Sequence, residues 1–224
     1  MNNQIINRHW EVLTVDFVLY DPKTGAVDYR EPTEVLHLGS DIALEVNEAY
    51  LTLYRMRGKE GEWEIGEKCK VLYDLPLEFP VGFNFGLTTE EIAKMSVLDF
   101  MLFLAQKKGG DAMSELTWID AGEQPKKMAV DFVFIYSDTG EESREQVEVL
   151  NVGRDYVLYI DEEWLNLYRL YHGPHGLEIG QRAELIYDLP YVSDSEMDLE
   201  TIANMNTIEL LAHLGGQLKE VVGE

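Results

Sequence analysis

The chain has 224 residues, of which 46% are hydrophobic and 11% aromatic, a composition that supplies packed cores and excludes disorder throughout. Asp and Glu number 42 against 18 Lys and Arg, and the formal net charge of −24 argues against binding to nucleic acid or to an anionic membrane. No apolar run approaches the roughly 18 residues that span a bilayer.

A single cysteine, Cys69, excludes an internal disulfide and suits a reducing compartment. The N-terminal sequence MNNQIINRHW lacks the basic region and apolar core of a secretory signal. We therefore expect a cytoplasmic location.

The first predicted element is a strand over residues 12–20, VLTVDFVLY, which is apolar and β-branched. The turn DPKTG follows, and TEVLHLG is the predicted partner strand, ending at Gly39. For residues 47–57 we predict a short helix with Asn47 as its N-cap, because apolar side chains recur at helical spacing from Tyr50. The alternation in LTLYRMR leaves a strand open as the alternative.

A further strand, KVLYDLP, is predicted to end at Pro76. Thr88 and Glu91 then form a capping-box pattern, which predicts the start of a helix. The apolar face of that one helix consists of Ile92, Met95, Leu98, Met101, Leu102 and Ala105.

The second half of the chain repeats the first. VLYDLP at residues 71–76 returns as LIYDLP at residues 185–190, and 18 of 43 positions are identical when 34–76 is aligned on 148–190. We predict an α+β fold with an internal tandem duplication of a domain of about 105 residues, with antiparallel strands and two helices per copy, forming a pseudo-twofold unit. The predicted boundaries are a first repeat at 1–106, a linker at 107–127 that carries Trp118 and Ile119, and a second repeat at 128–224.

The second copy has the same predicted elements. Asp161 is the predicted cap of a helix over residues 161–171, with a strand again as the alternative, and Asp198 caps the last helix. The helical spacing is carried by Trp164, Leu167, Tyr168 and Tyr171, and then by Ile202, Met205, Ile208 and Leu211.

Two sequence patterns resemble an aspartic protease motif and a zinc site, but each lacks the further residues that such a site needs. Asp138-Thr139-Gly140 matches the phrase of aspartic proteases, but Lys23-Thr24-Gly25 supplies no second aspartate, so we predict a hairpin turn. His172 and His175 are too few for zinc, which takes three or four protein ligands. We therefore assign no catalytic residue, no metal site and no cofactor.

The copies differ after YDLP, where the first has the aromatic LEFPVGFNFGLTT and the second the acidic YVSDSEMDL. One interpretation is that the aromatic loop packs on its own core; the other makes it the anchor for a partner, surrounded by carboxylates. The predicted partner-binding residues are Phe79, Phe83, Phe85, Glu141, Glu142 and Glu145.

Together these features predict an acidic, non-enzymatic interaction protein that binds a basic surface on a partner protein. One version is an inhibitor that mimics the charge of nucleic acid and blocks a nucleic-acid-binding enzyme, as a phage-type antagonist or a toxin-neutralising protein would. The alternatives are an enzyme with an acidic metal-dependent or hydrolytic site between the repeats, and a structural subunit of a larger assembly. The identity of the partner, the oligomeric state, and the choice between mimicry, solubility and salt adaptation stay open.

Overall fold

The computed structural model describes residues 10–47, 49–77, 79, 85–109, 125–153, 155–161, 163–191 and 197–216. Over these residues the protein is a mixed α+β fold, in which strands predominate and form two sheets, with few and short helices. The described helices include none that is long and apolar enough to cross a membrane.

The chain forms two compact units, Met1–Met95 with Met205–Glu224 and Ser96–Asn204, called unit 1 and unit 2 below. They differ from the halves 1–106 and 128–224 because each unit contains a helix from the other half of the sequence. The division into halves remains a prediction about the repeat.

Unit 1 contains one six-stranded sheet with the order β5-β1-β2-β3-β4-β6. Neighbouring strands run antiparallel, as predicted, except β1 and β5, which are parallel. The elements of unit 1 are β1 (Glu11–Tyr20), β2 (Val27–Gly39), β3 (Ile42–Val46), β4 (Tyr50–Arg55), β5 (Glu64–Gly66), β6 (Lys70–Pro76), α1 (Thr89–Lys94) and α4 (Thr207–Leu214).

Unit 2 contains one seven-stranded sheet with the order β11-β12-β7-β8-β9-β10-β13, in which β7 and β12 are parallel. Without the short edge strand β11, this order matches that of unit 1 strand for strand. The elements of unit 2 are α2 (Val97–Gly109), β7 (Lys126–Ile135), β8 (Glu142–Gly153), β9 (Tyr156–Ile160), β10 (Trp164–Arg169), β11 (Tyr171–Gly173), β12 (Gly176–Gly180), β13 (Glu184–Pro190) and α3 (Leu199–Asn204).

The helices predicted over 47–57 and 161–171 are strands, β4 and β10. The spacing of apolar residues suggested a helix because β4 is buried on both faces. Leu51 and Leu53 alternate with residues that are also buried, so the strand shows no alternation of buried and exposed residues there. Asn47 and Asp161 do accept backbone N–H groups two and three residues on, at 2.8–3.0 Å, but the turns they stabilise lead into strands.

The long helix predicted from Ile92 to Ala105 is two helices. Met95 is extended, with φ −60° and ψ 143°, and α2 begins anew behind Ser96, whose side chain accepts the Asp99 N–H at 3.0 Å. The second copy breaks in the same way at Asn206, which forms a capping box with Glu209. The predicted caps of the preceding helices, Thr88–Glu91 and Asp198, are confirmed.

Just beyond β4, Arg57 forms an isolated antiparallel bridge with Glu64 of β5, although β4 and β5 are not neighbours in the order of the unit 1 sheet. One face of this sheet, called its inner face, holds a small core drawn from five segments, and the opposite face carries buried leucines such as Leu44 and Leu53. The inner core consists of Val15, Val35, Ala43, Tyr54, Met56 and Ile65.

The inner core of unit 2 occupies the equivalent positions, Val130, Val149, Val157, Leu170 and Ile179. The predicted linker overlaps regular structure at both ends, since α2 extends to Gly109 and β7 begins at Lys126. Trp118 and Ile119 lie outside the described residues.

Candidate functional site

The hairpin between β7 and β8 carries exposed aromatic side chains together with the three glutamates that the sequence predicted for partner binding in unit 2, Glu141, Glu142 and Glu145. The turn closes through hydrogen bonds from the Tyr136 N–H to the Glu141 carbonyl, 2.9 Å, and from the Gly140 N–H to the Tyr136 carbonyl, 2.7 Å. Gly140 has φ +71°, a left-handed conformation that favours glycine. Asp138-Thr139-Gly140 is therefore a hairpin turn, as predicted.

An aromatic pair lies at the end of this hairpin. The rings of Phe134 and Tyr136 meet edge to face with centroids 5.1 Å apart, and each residue is nearly half exposed, at 45% and 46%. Phe134 pairs across the strands with Ser143, one residue from Glu142. The exposed residues Asp138 and Glu141 lie in and beside the turn, so apolar rings and carboxylates share one small surface.

The three predicted glutamates have different surroundings. Glu141 and Glu145 are exposed, and Glu145 lies opposite Phe132 in the β7–β8 ladder. Glu142 is instead ion-paired with Arg144, at 3.1 Å, and with Arg182. Glu142 is exposed as well, but these ion pairs largely balance its negative charge within unit 2.

The pairing of Glu142 belongs to a larger ion cluster. Glu178 is wholly buried and accepts from Arg144 at 2.8 Å and from Arg182 at 3.4 Å, while Asp131 lies 3.4 Å from Arg144. Burial alone would raise the pKa of Glu178, but hydrogen bonds and charge from Arg144 and Arg182 outweigh it and hold that pKa below its usual value. The cluster ties β7, β8 and β12 together.

Gly173 on β11 closes over this buried carboxylate. A Cβ at that position would collide with the Glu178 Oε1 atom and would lie 2.7 Å from its Cδ atom. A side chain at residue 173 would therefore force a carboxylate held by two guanidinium groups to shift.

Unit 1 contains a counterpart of this ion cluster, which has fewer ion pairs and whose side chains are more exposed to solvent. Arg30 pairs with Asp16 at 2.8 Å and with Glu64 at 2.7 Å, and the Glu64 side chain is 22% exposed. Lys68 stands at the position of Arg182 and lies over the ring of Tyr20, 3.3 Å from its centroid. The basic partner in each cluster, Arg30 or Arg144, was missed because the repeat alignment began at residue 34.

A different acidic group lies toward the inner face of unit 1. Glu45, Thr52 and Asp74 are cross-strand neighbours on β3, β4 and β6, and the Thr52 hydroxyl donates to Asp74 at 2.6 Å. Burial raises the pKa of Glu45, opposed by a hydrogen bond from Tyr54 and reinforced by the charge of Asp74. Tyr159 occupies the position of Glu45 in unit 2, so this buried carboxyl is specific to unit 1.

The aromatic loop is only partly described. Phe79 and Phe85 meet edge to face with centroids 5.2 Å apart, and Phe85 is buried, with 7% of its surface exposed. The burial of Phe85 agrees with the interpretation in which the aromatic loop packs on its own core. Phe83 lies outside the described residues, so the anchor role predicted for it stays a prediction.

The two histidines considered above as zinc ligands and the single cysteine lie at separate places in the fold. His172 lies 3.1 Å from Asp155, both of these side chains are at least half exposed, and His175 is exposed as well. The Cys69 thiol donates to the Glu64 carbonyl at 3.1 Å, and burial raises its pKa. Within the described part of the chain, no group of three or more His, Cys, Asp or Glu side chains is arranged to hold a metal ion.

Comparison of the chain with protein-family models, with curated proteins and with solved structures gave no match. The feature that sequence reasoning missed is the pair Phe134 and Tyr136, and its signal was an aromatic residue on each side of the strand end that precedes the Asp-Thr-Gly turn.

Proposed function

We propose that this protein is a non-enzymatic interaction protein that binds a basic surface on a partner protein through the β7–β8 hairpin of unit 2. The observation that carries the proposal is the exposed pair Phe134 and Tyr136 beside the exposed carboxylates of Asp138 and Glu141. Exposed aromatic rings bordered by charge are typical of the centre and rim of a protein interface.

Charge determines the class of partner. The net charge of −24 produces a negative field that accelerates encounter with a basic surface and is screened over roughly 8 Å at physiological salt. Carboxylates alone bind promiscuously, so the aromatic pair supplies the specific contact. A protein that normally binds nucleic acid offers the required basic surface, and this chain then acts as an inhibitor that occupies it.

We also propose that the two units descend from an internal duplication. Support comes from the strand orders, which match apart from β11, and from irregularities in the ladders. The register shifts after Leu53 in the β4–β6 ladder and after Leu167 in the β10–β13 ladder, and these two residues are aligned in the repeat. It also shifts after His37 in the β2–β3 ladder and after Asn151 in the β8–β9 ladder, which are aligned as well. The ion clusters around Arg30 and Arg144 add a third correspondence.

The binding proposal is tested by capture from a lysate of the source cells on the immobilised chain. Three variants are compared with wild type: Glu141→Gln with Glu145→Gln, Phe134→Ala, and the control Glu11→Gln with Glu60→Gln. The control removes the same charge from exposed sites in unit 1. We expect one basic protein to be retained by wild type and control, and lost or weakened with the other two.

Competition distinguishes mimicry from other kinds of binding. If the partner normally binds nucleic acid through the captured surface, double-stranded DNA in solution releases it, because both ligands require the same basic residues. Retention by the control and hairpin variants alike would contradict the proposed site. Capture that is unaffected by DNA would contradict the mimicry version while leaving the hairpin site intact.

A further inference from the structure

We propose that the two halves of the chain bind one another through a reciprocal exchange of helices, so that residues 1–109 and 125–224 form one folded particle even as separate polypeptides. Unit 1 takes α4 from the C-terminal end of the chain, and unit 2 takes α2 from the first half. The inference is independent of the proposed function.

Helix α4 is fitted into unit 1 by specific contacts. The N–H group of Thr207 donates to the carbonyl of Met95, which ends α1, at 2.9 Å, and the Thr207 hydroxyl donates to the same oxygen at 3.3 Å. At the other end of α4, a Cβ on Gly215 would lie 2.9 Å from the Leu72 carbonyl oxygen of β6, so the backbones approach closely. Ile208 and Leu211 are wholly buried.

Helix α2 completes unit 2 at the equivalent place. It packs on β13 and on α3, and Phe100 and Leu104 are wholly buried. Near its end the Lys108 ammonium lies 5.6 Å from the ring centroid of Tyr187 on β13. β13, like β6 in unit 1, is the last strand of its sheet, so the exchanged helix packs on an edge strand.

The surface formed by α1 and β6, and that formed by α3 and β13, are therefore binding sites for a helix. The occupant of each is the helix from the other half of the same chain. Neither half contains a complete unit, because residues 1–109 lack α4 and residues 125–224 lack α2. This arrangement is the intramolecular form of domain swapping, in which identical elements are exchanged between copies.

The test uses the full chain with a site-specific protease sequence inserted between Gly110 and Asp111. After complete cleavage, shown on a denaturing gel, the sample is passed over a native sizing column with mass detection. We expect a single species containing one copy of each half, at the mass of the uncut chain, that separates only in denaturant. Halves that elute apart, or as two separate homodimers, would overturn the proposal.

Two variants of the cleavable chain test whether the exchanged helix holds the halves together. Phe100→Ala removes a wholly buried ring from α2 and is expected to raise the dissociation constant of the cut halves about 100-fold or more. Phe134→Ala removes an exposed ring from the same unit and is expected to change it less than about threefold. Equal effects of the two variants would also overturn the proposal.

Discussion

Arg144 donates a hydrogen bond over 2.8 Å to Glu178, a carboxylate with none of its side chain exposed to solvent. Removing one member of a buried ion pair leaves the other charge without compensation, whereas an exposed pair contributes little. We expect Arg144→Met to lower the thermal unfolding midpoint clearly more than Arg30→Met, whose partner Glu64 is partly exposed. Calorimetry on the two variants makes the comparison, and equal midpoints would contradict the assigned burial.

The same carboxylate gives stability a defined dependence on acid. The pKa of Glu178 is lower in the folded state than its ordinary 4.5, so its contribution is fully present above that pH and is lost as pH falls through the folded-state pKa. We expect Glu178→Gln to be less stable than wild type at pH 7 and to lose stability less steeply below about pH 4.5. Denaturant unfolding at a series of acidic pH values measures the slope; an unchanged slope would be inconsistent with the ion cluster.

Glu45 has the opposite dependence. Burial raises its pKa in the folded state, so its contribution is present below the unfolded value of 4.5 and is lost as pH rises through the folded-state pKa. We expect Glu45→Gln to stabilise the protein at pH 7 and to make little difference near pH 4, since the amide keeps an acceptor for Tyr54. The exposed Glu34→Gln is the control, and destabilisation by Glu45→Gln at pH 7 would refute the assignment.

Gly173 is expected to tolerate no side chain. In Gly173→Ala the new methyl group meets the Glu178 carboxylate, which Arg144 and Arg182 hold in place, and we expect a loss of about 1–3 kcal/mol in the free energy of unfolding. Combining it with the shorter side chain of Glu178→Asp relieves the contact, so the two losses should sum to more than the loss in the double variant. Strict additivity in urea unfolding would argue against the contact.

Patterns confined to a few neighbouring residues were predicted well from the sequence. The capping box at Thr88, the Asp198 cap and the turn at Gly140 were correct because each depends on residues three or four apart. Strand β4 was open between two structures, because a strand covered on both faces has no alternation to detect. The restart of the helix at Ser96 was missed because an apolar face continues across it.

Features that depend on tertiary structure were not accessible to sequence reasoning. Nothing local to α2 indicates that it packs in unit 2 with β13, because its apolar positions fit any apolar groove. In the site, Glu142 was predicted as a partner-binding carboxylate, and its ion pair with Arg182, 40 positions away, was not visible in the sequence. The net charge and the acidic residues of the hairpin could be read from the sequence, because they depend on composition and not on how the chain folds.

The central claim, that the hairpin of unit 2 binds a basic partner by charge and an aromatic anchor, is tested most directly by binding kinetics with the captured protein. Association and dissociation rates are measured from low to high salt for wild type, Glu141→Gln with Glu145→Gln, and Phe134→Ala. We expect wild-type association to slow as salt rises, the charge variant to associate more slowly with a flatter salt dependence, and Phe134→Ala mainly to dissociate faster. Association that is unaffected by salt, together with unchanged dissociation of Phe134→Ala, would contradict the account.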